Sequence, residues 1–132
     1  RDINITNPAG NAYQPINASA FNSGSLEELK QDIEPLASAL PILHNSQIYE
    51  YRLKNDTQNG INHKKYGFVI GDGYQTPPEV LSENGEAVNQ YSMAAILWRA
   101  VQEIEEKTTQ QINSLQTQIN TLQAMITDLQ AK

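Results

Sequence analysis

Residues 91–132 read YSMAAILWRAVQEIEEKTTQQINSLQTQINTLQAMITDLQAK, a stretch that predicts one long helix because neither Pro nor Gly interrupts it. In its last part, apolar residues recur at alternating spacings of three and four, as in a coiled-coil seam. The seam consists of Ile112, Leu115, Ile119, Leu122, Ile126 and Leu129. The rest of this part is mostly Gln, Asn and Thr, so one copy cannot bury the seam by itself. We therefore expect the chain to be an oligomer.

The seam also continues toward the start of this helix, with one irregularity. The upstream positions are Leu97, Val101, Ile104 and Thr108. Between Ile104 and Ile112 two spacings of four follow each other, which is a stutter that locally unwinds a supercoil. Around residues 93–98 the helix is apolar on most sides, so we expect this part to pack against a globular body.

Composition limits the possible functions. The chain has 132 residues and a net charge of −6, which argues against a general surface for nucleic acid or anionic membranes. It has no cysteine and no apolar run long enough to span a bilayer. His44 and His63 lie far apart without carboxylates at ligand spacing, so we expect no metal site and no cofactor. The Asn-rich start suggests a piece of a longer protein.

The remainder of the chain predicts a small α+β body between two different ends. Residues 1–24 are rich in Asn, Gly, Pro, Ser and Ala, and fit either a linker or the end of an upstream β-structured shaft. Residues 25–90 are expected to form a globular part of one helix and a β-hairpin, and residues 91–132 the helix and stalk. Ile3 and Ile5 hint at a short strand in the first segment.

A helix is expected directly after Gly24, over the sequence SLEELKQDIEPLASAL. Its apolar residues have helical spacing, and Ser25 with Glu28 three residues later forms a capping-box pattern. Pro35 is expected to kink or end this helix, and Pro41 to mark its exit.

Two strands are expected in the middle of the chain. The alternating sequence IYEYRLK, residues 48–54, predicts a half-buried strand, and YGFVI, residues 66–70, predicts a second one. Asn59-Gly60 is a strong signal for a type I′ turn between them, since both central positions of that turn need positive φ. Asn84-Gly85 predicts another tight turn before the long helix.

One pair of residues offers catalytic chemistry. A lysine can act as the base for a serine when burial keeps its amine neutral, and Ser25 and Lys30 are the candidates. On a helix, five residues correspond to about 140° of rotation, so the two would not share a face. From the residues alone, Ser25 is more simply a helix cap.

The order of these elements resembles one family. A Ser-x-x-x-x-Lys helix start, a YxYxxKN strand, a GFVIG segment before PPEV, and a long helix ending in a coiled coil are similar to the C-terminal intramolecular chaperone domains of phage tail spikes and endosialidases. The matching pieces extend from about Ser25 to the end of the chain, and among these proteins the pattern is most similar to that of the neck appendages of small tailed phages. Each piece is weak alone, and their order carries the resemblance.

The resemblance implies a homotrimer that folds the upstream spike domain of its own chain and then cuts itself off. The scissile bond would be Gly24–Ser25, with Ser25 as nucleophile and Lys30 as base in a single-turnover serine endopeptidase. The family's usual Asp and Arg are replaced here by Leu26 and Glu28, and Glu28 is a candidate to orient Lys30. The implied location is the bacterial host cytoplasm during phage assembly, with the parent protein in the virion tail and neither nucleic acid nor membrane as a partner.

Two questions stay open at the level of sequence. The seam has Ile at its a positions and Leu at its d positions, which favours dimers, whereas the family implies trimers. The function also has alternatives: a permanent trimeric fibre or attachment module without cleavage, or a receptor-binding tip that uses Tyr74, Tyr91 or Trp98.

Overall fold

The computed structural model describes residues 3–10 and 14–132, which form two compact units, Arg1–Ile33 and Glu34–Lys132. The first unit contains a 3-10 helix at Glu27–Leu29. The second contains, in chain order, α1 (Leu40–His44), β1 (Tyr49–Tyr51), α2 (Lys54–Gln58), β2 (Lys65–Gly67), a 3-10 helix at Pro78–Val80 and α3 (Gln90–Gln130). An antiparallel pair of strands with a long C-terminal helix confirms the predicted α+β class.

The long helix α3 has 41 residues and lies where the sequence predicts it. It begins after Asn89, whose side-chain oxygen accepts a hydrogen bond from the Ser92 N–H at 3.0 Å. This contact satisfies one of the N–H groups that have no partner within the first turn. A helix of this length is about 60 Å long, far longer than any other element of the chain.

The two strands form a short antiparallel pair in which Tyr49 lies opposite Gly67 and Tyr51 opposite Lys65. Tyr49 and Tyr51 are half-buried and Glu50 is exposed, so the predicted alternation is confirmed. The strands are shorter than predicted, because Leu53 already precedes α2 and the chain after Gly67 leaves the ladder. Tyr49 also packs edge to face with the ring of Tyr74, with ring centroids 5.2 Å apart.

The Asn59-Gly60 dipeptide ends a helix, so the predicted hairpin turn is wrong. Asn59 is the C-cap of α2 and has φ −92°, whereas only Gly60 has a positive φ, of 74°. The N–H of Ile61 donates to Asp56 and the N–H of Gly60 to Thr57, which is the hydrogen-bond pattern of a Schellman motif. In contrast, the predicted turn at Asn84-Gly85 is confirmed by a bond from the Gly85 N–H to the Ser82 carbonyl and by φ 74° at Gly85.

The helix predicted from Ser25 to Leu40 is wrong. Only Glu27–Leu29 is helical there, its N-cap is Leu26 without a side-chain cap, and Asp32 has a left-handed φ of 54°. The predicted capping box of Ser25 and Glu28 is therefore absent. Its large apolar residues before Ala39 are exposed in the single chain, and short helices without packing are marginal in water. These residues are Leu26, Leu29, Ile33 and Leu36. Pro41 lies in the first turn of α1 rather than at a helix exit, as is typical of proline.

The core of the second unit is small. Ala39, Val80, Ile96 and Ala100 are buried, and α1, the segment after β2 and the start of α3 supply partly buried neighbours. In contrast, the nine residues predicted to mediate oligomerisation are all 46–66% exposed. These residues are Leu97, Val101, Ile104, Ile112, Leu115, Ile119, Leu122, Ile126 and Leu129. The single chain therefore leaves most of its large apolar side chains in contact with water.

Candidate functional site

The chain brings Ser25 and Lys30 together. The Lys30 amine donates hydrogen bonds to the Ser25 hydroxyl at 2.5 Å and to the Ser25 carbonyl oxygen at 3.0 Å. The two residues flank the 3-10 helix, and Lys30 itself has extended backbone angles. A regular helix would separate their side chains by about 140°, so this contact depends on the absence of the predicted helix.

Both members of this pair are exposed in the single chain. An ammonium group donates to a serine oxygen but cannot accept its proton. General-base chemistry requires the neutral amine, which burial favours. The geometry thus brings the two partners within hydrogen-bonding reach, and its chemistry depends on what covers it.

The residues around Ser25 and Lys30 contribute less to the chemistry of this pair than the sequence suggested. Glu28 is exposed within the 3-10 helix and, in the part of the chain that the structure describes, forms neither an ion pair nor a hydrogen bond with Lys30. A helix of only three residues also provides no macrodipole to stabilise an oxyanion, as the predicted long helix would have done. Gly24 is exposed, and a Cβ atom built on it would meet no atom within 4 Å apart from its chain neighbours.

A second polar cluster lies in the other unit and connects α3 to the backbone before α1. The Glu103 carboxylate accepts hydrogen bonds from the Ser38 hydroxyl at 2.7 Å and from the N–H groups of Ala39 and Leu40 at 2.9 and 3.2 Å. One turn earlier, Arg99 donates to the carbonyl oxygens of Leu36 and Ala37, both at 2.9 Å. We call Arg99 and Glu103 the backbone clamp.

The clamp gives α1 its N-terminal cap. The N-cap residue Ala39 has no side chain that can accept a hydrogen bond, so Glu103 accepts from the first N–H groups of α1 instead. This role is not apparent from the sequence, because it joins positions more than 60 residues apart. One signal was present: Glu103 follows Ile96 and Ala100 at helical spacing, on the side of α3 that becomes buried.

The clamp carboxylate is only 6% exposed and strongly favours its charged form. The hydrogen bond from Ser38, together with the backbone N–H groups of Ala39 and Leu40 and the charge of Lys107, lowers the pKa of Glu103 from 4.5 to about 2, against the opposing effect of burial. Lys107 lies one turn further along α3, with its amine 3.5 Å from the carboxylate.

This shift predicts a loss of stability in acid. A carboxyl group whose pKa is lowered on folding stabilises the protein fully above its unfolded pKa, and that contribution is lost as the pH falls through the folded pKa. For Glu103 the loss occurs between about pH 4.5 and about pH 2. We expect the difference in urea midpoint between the wild type and Glu103→Gln, which does not titrate, to shrink across this range. A difference that stays constant from pH 5 to the acid limit (about pH 2) would contradict the assignment.

Metal sites and membrane-spanning helices are two further possibilities for residues 3–10 and 14–132. No group of three or more His, Cys, Asp or Glu residues in this part of the chain is placed to hold a metal ion. His44 and His63 are both exposed. The search of the same residues for a helix long and apolar enough to cross a membrane finds none.

Comparison with known proteins returns no match: no protein-family description, no curated protein and no solved structure is significantly similar to this chain. The function of this chain is therefore inferred from its own residues and from the resemblance in the order of its elements.

Proposed function

We propose that the chain is an intramolecular chaperone domain that trimerises, assists the folding of a phage tail spike or appendage, and then releases itself by cutting Gly24–Ser25. The observation that carries this proposal is the 2.5 Å contact between the Lys30 amine and the Ser25 hydroxyl. The exposed apolar seam of α3 supports it, because a trimer is the means by which such a domain would align three copies of an upstream spike.

The proposed reaction uses only groups of this chain and water. The Ser25 hydroxyl oxygen attacks the carbonyl carbon of Gly24 while Lys30 accepts the hydroxyl proton. The Gly24–Ser25 C–N bond then breaks, and the departing Ser25 nitrogen takes the proton from Lys30. The result is an ester between Gly24 and the Ser25 oxygen. Hydrolysis of this ester by water leaves a carboxylate on Gly24 and a new N-terminus at Ser25.

In this proposal, assembly supplies the burial that the exposed Ser25–Lys30 pair lacks in the single chain. The amine of Lys30 must be neutral to accept a proton, and neighbouring copies that cover the pair would favour the neutral form by removing water. The need for assembly thus follows from the exposure of the pair. Cleavage would then occur once per chain, after folding and assembly.

The partners of the proposal are the two other copies of the chain and the spike domain that precedes residue 25 in the parent protein. Such a domain acts in the cytoplasm of the bacterial host while the phage assembles, and the parent protein enters the virion tail. The negative net charge of −6 gives no reason to add a nucleic acid or an anionic membrane to these partners.

The test is the intact mass of this chain with its natural upstream segment. We expect the wild type to yield a fragment that begins at Ser25, and we expect Ser25→Ala and Lys30→Ala to remain uncut. Ser23→Ala is the matched control, because it removes a hydroxyl two residues away and should be cut like the wild type. A Ser25→Ala variant that is cut at the same bond would overturn the proposed reaction.

The exposure of Ser25 and Lys30 favours one rival function, that of a permanent trimeric module of a fibre. In such a module the pair would be an ordinary surface contact and the domain would stay attached. A wild-type chain that assembles fully and remains uncut would establish this rival function instead.

A further inference from the structure

The first half of α3 has two opposite faces. Ile96, Ala100 and Glu103 are buried against the rest of the second unit. Trp98 is 74% exposed and Tyr91 54% exposed. At 3.6 residues per turn, Trp98 lies about 200° around the helix from Ile96, so it points away from the unit's own core. The most exposed aromatic side chain of this helix is therefore available to a partner.

This outward face continues the stalk seam in one unbroken heptad register. Steps of seven back from the a position Ile112 reach Glu105, Trp98 and Tyr91, and steps of seven back from the d position Leu115 reach Thr108, Val101 and Ala94. The stutter predicted from the sequence depends on counting Leu97 and Ile104 as core. In the unbroken register both residues are instead g positions that flank the outward face.

The composition of the outward face indicates which partner it fits. Its members at positions a, d, e and g before Glu105 carry no charge, so its centre offers a charged ligand or peptide no ion-pair partner, and charge lies only at its edges, on Arg99 and Glu105. These members are Tyr91, Ala94, Ala95, Leu97, Trp98, Val101, Gln102 and Ile104. The heptad repeat that runs along the 41-residue helix α3 is instead complementary to the same repeat in another copy of the chain.

The width of this face favours more than two copies. A two-stranded coiled coil needs a stripe made of a and d positions alone, whereas helices of a bundle use an additional e or g position. Leu97 and Ile104 supply that additional row and are 46% and 50% exposed. We propose that the outward face from Tyr91 to Ile104 is an interface between three parallel copies of this chain, continuous with the stalk, with Trp98 in its core. The proposal depends on the trimer of the proposed function and extends that trimer beyond the stalk.

The register gives a direct test by disulfide cross-linking, because the chain has no cysteine of its own. Cysteines at equivalent core positions of parallel helices lie close to the Cα separation that a disulfide needs, about 7 Å or less. In the full chain, we expect Glu105→Cys at an a position to form cross-linked pairs faster than Ile104→Cys beside it. Leu122→Cys in the stalk is the positive control, and Gln110→Cys on its outer side is the negative control.

The outcomes separate this inference from the function on which it depends. Faster cross-linking of Ile104→Cys than of Glu105→Cys would overturn the unbroken register and restore the stutter. Cross-linking of Leu122→Cys, with neither upstream variant forming pairs, would show that the interface ends in the stalk. If Leu122→Cys also fails while the protein remains folded, the parallel assembly of the proposed function is itself wrong.

A second measurement needs no substitution. Trp98 is the only tryptophan, so its fluorescence reports on this face alone. We expect its emission in the concentrated, assembled protein to lie at a shorter wavelength than in diluted protein, and its quenching by iodide to be weaker. Emission and quenching typical of a fully hydrated tryptophan in the assembled protein would overturn the inference.

Discussion

An Ile119→Asp substitution is expected to convert the protein to monomers under conditions in which the wild type is assembled. Ile119 is an a position at the centre of the stalk and is 47% exposed in the single chain. In a trimer, three carboxylates would converge in an apolar layer without partners. If the assembly loses about 4 kcal/mol in total, the dissociation constant rises about a thousandfold. Sedimentation velocity at several protein concentrations measures the effect.

Asn120→Asp is the matched control for this variant. It adds the same charge one residue later, on the outer side of the stalk. The Asn120 side-chain oxygen there accepts a hydrogen bond from the Gln116 amide. We expect Asn120→Asp to assemble like the wild type. Equal sedimentation of Ile119→Asp and the wild type would show that the seam does not hold the oligomer together.

The same variant also tests whether assembly precedes cleavage. In Ile119→Asp, Ser25 and Lys30 remain unchanged, but neighbouring copies no longer cover them. With the upstream segment attached, the variant should therefore stay uncut while the wild type is processed. Cleavage of the monomeric variant at the wild-type rate would separate the reaction from oligomerisation and contradict this part of the proposed function.

A Glu103→Ala substitution is expected to cause a large loss of stability without touching either the seam or the proposed catalytic pair. The buried N–H of Ala39 would lose its acceptor, and an unsatisfied buried group of this kind costs about 1–3 kcal/mol. The Ser38 hydroxyl and the Leu40 N–H would lose their acceptor as well. Thermal unfolding at fixed protein concentration should therefore show a clearly lower Tm.

Two further variants separate the causes of this loss. Glu103→Gln keeps an acceptor oxygen of similar shape but loses the negative charge, so we expect a Tm between those of the wild type and Glu103→Ala. Glu83→Ala removes an exposed carboxylate from the loop before α3 and should leave Tm unchanged. A Glu103→Ala protein as stable as Glu83→Ala would mean that the clamp does not stabilise α1.

Local patterns predicted the parts of the fold that depend on local physics. The period of α3, the alternation of β1 and the turn at Asn84-Gly85 are each determined within a few residues. The helix expected after Ser25 failed because its apolar stripe finds no partner in one chain, and helical stability comes mainly from such packing. At Asn59-Gly60, a glycine with positive φ serves a hairpin turn or a helix end equally well, so the dipeptide did not decide between them.

The candidate site was likewise predicted only in part. Spacing alone identified Ser25 and Lys30, but a helical interpretation placed them on different faces, and only the extended backbone at Lys30 brings them into contact. The backbone clamp could not be predicted from the sequence. Its side chains bind main-chain groups of residues 36–40, and the position of these residues beside α3 is determined by tertiary structure. An acidic residue on an apolar helix face was its only trace in the sequence.

The small core of the second unit affects how the thermal stability of the protein must be measured. Four buried apolar residues form this core, and many large apolar side chains are exposed in the single chain. Association that involves only the folded form stabilises that form by mass action, so the midpoint of unfolding rises with protein concentration. If the chain assembles as proposed, its melting temperature is thus a property of the solution as much as of the molecule.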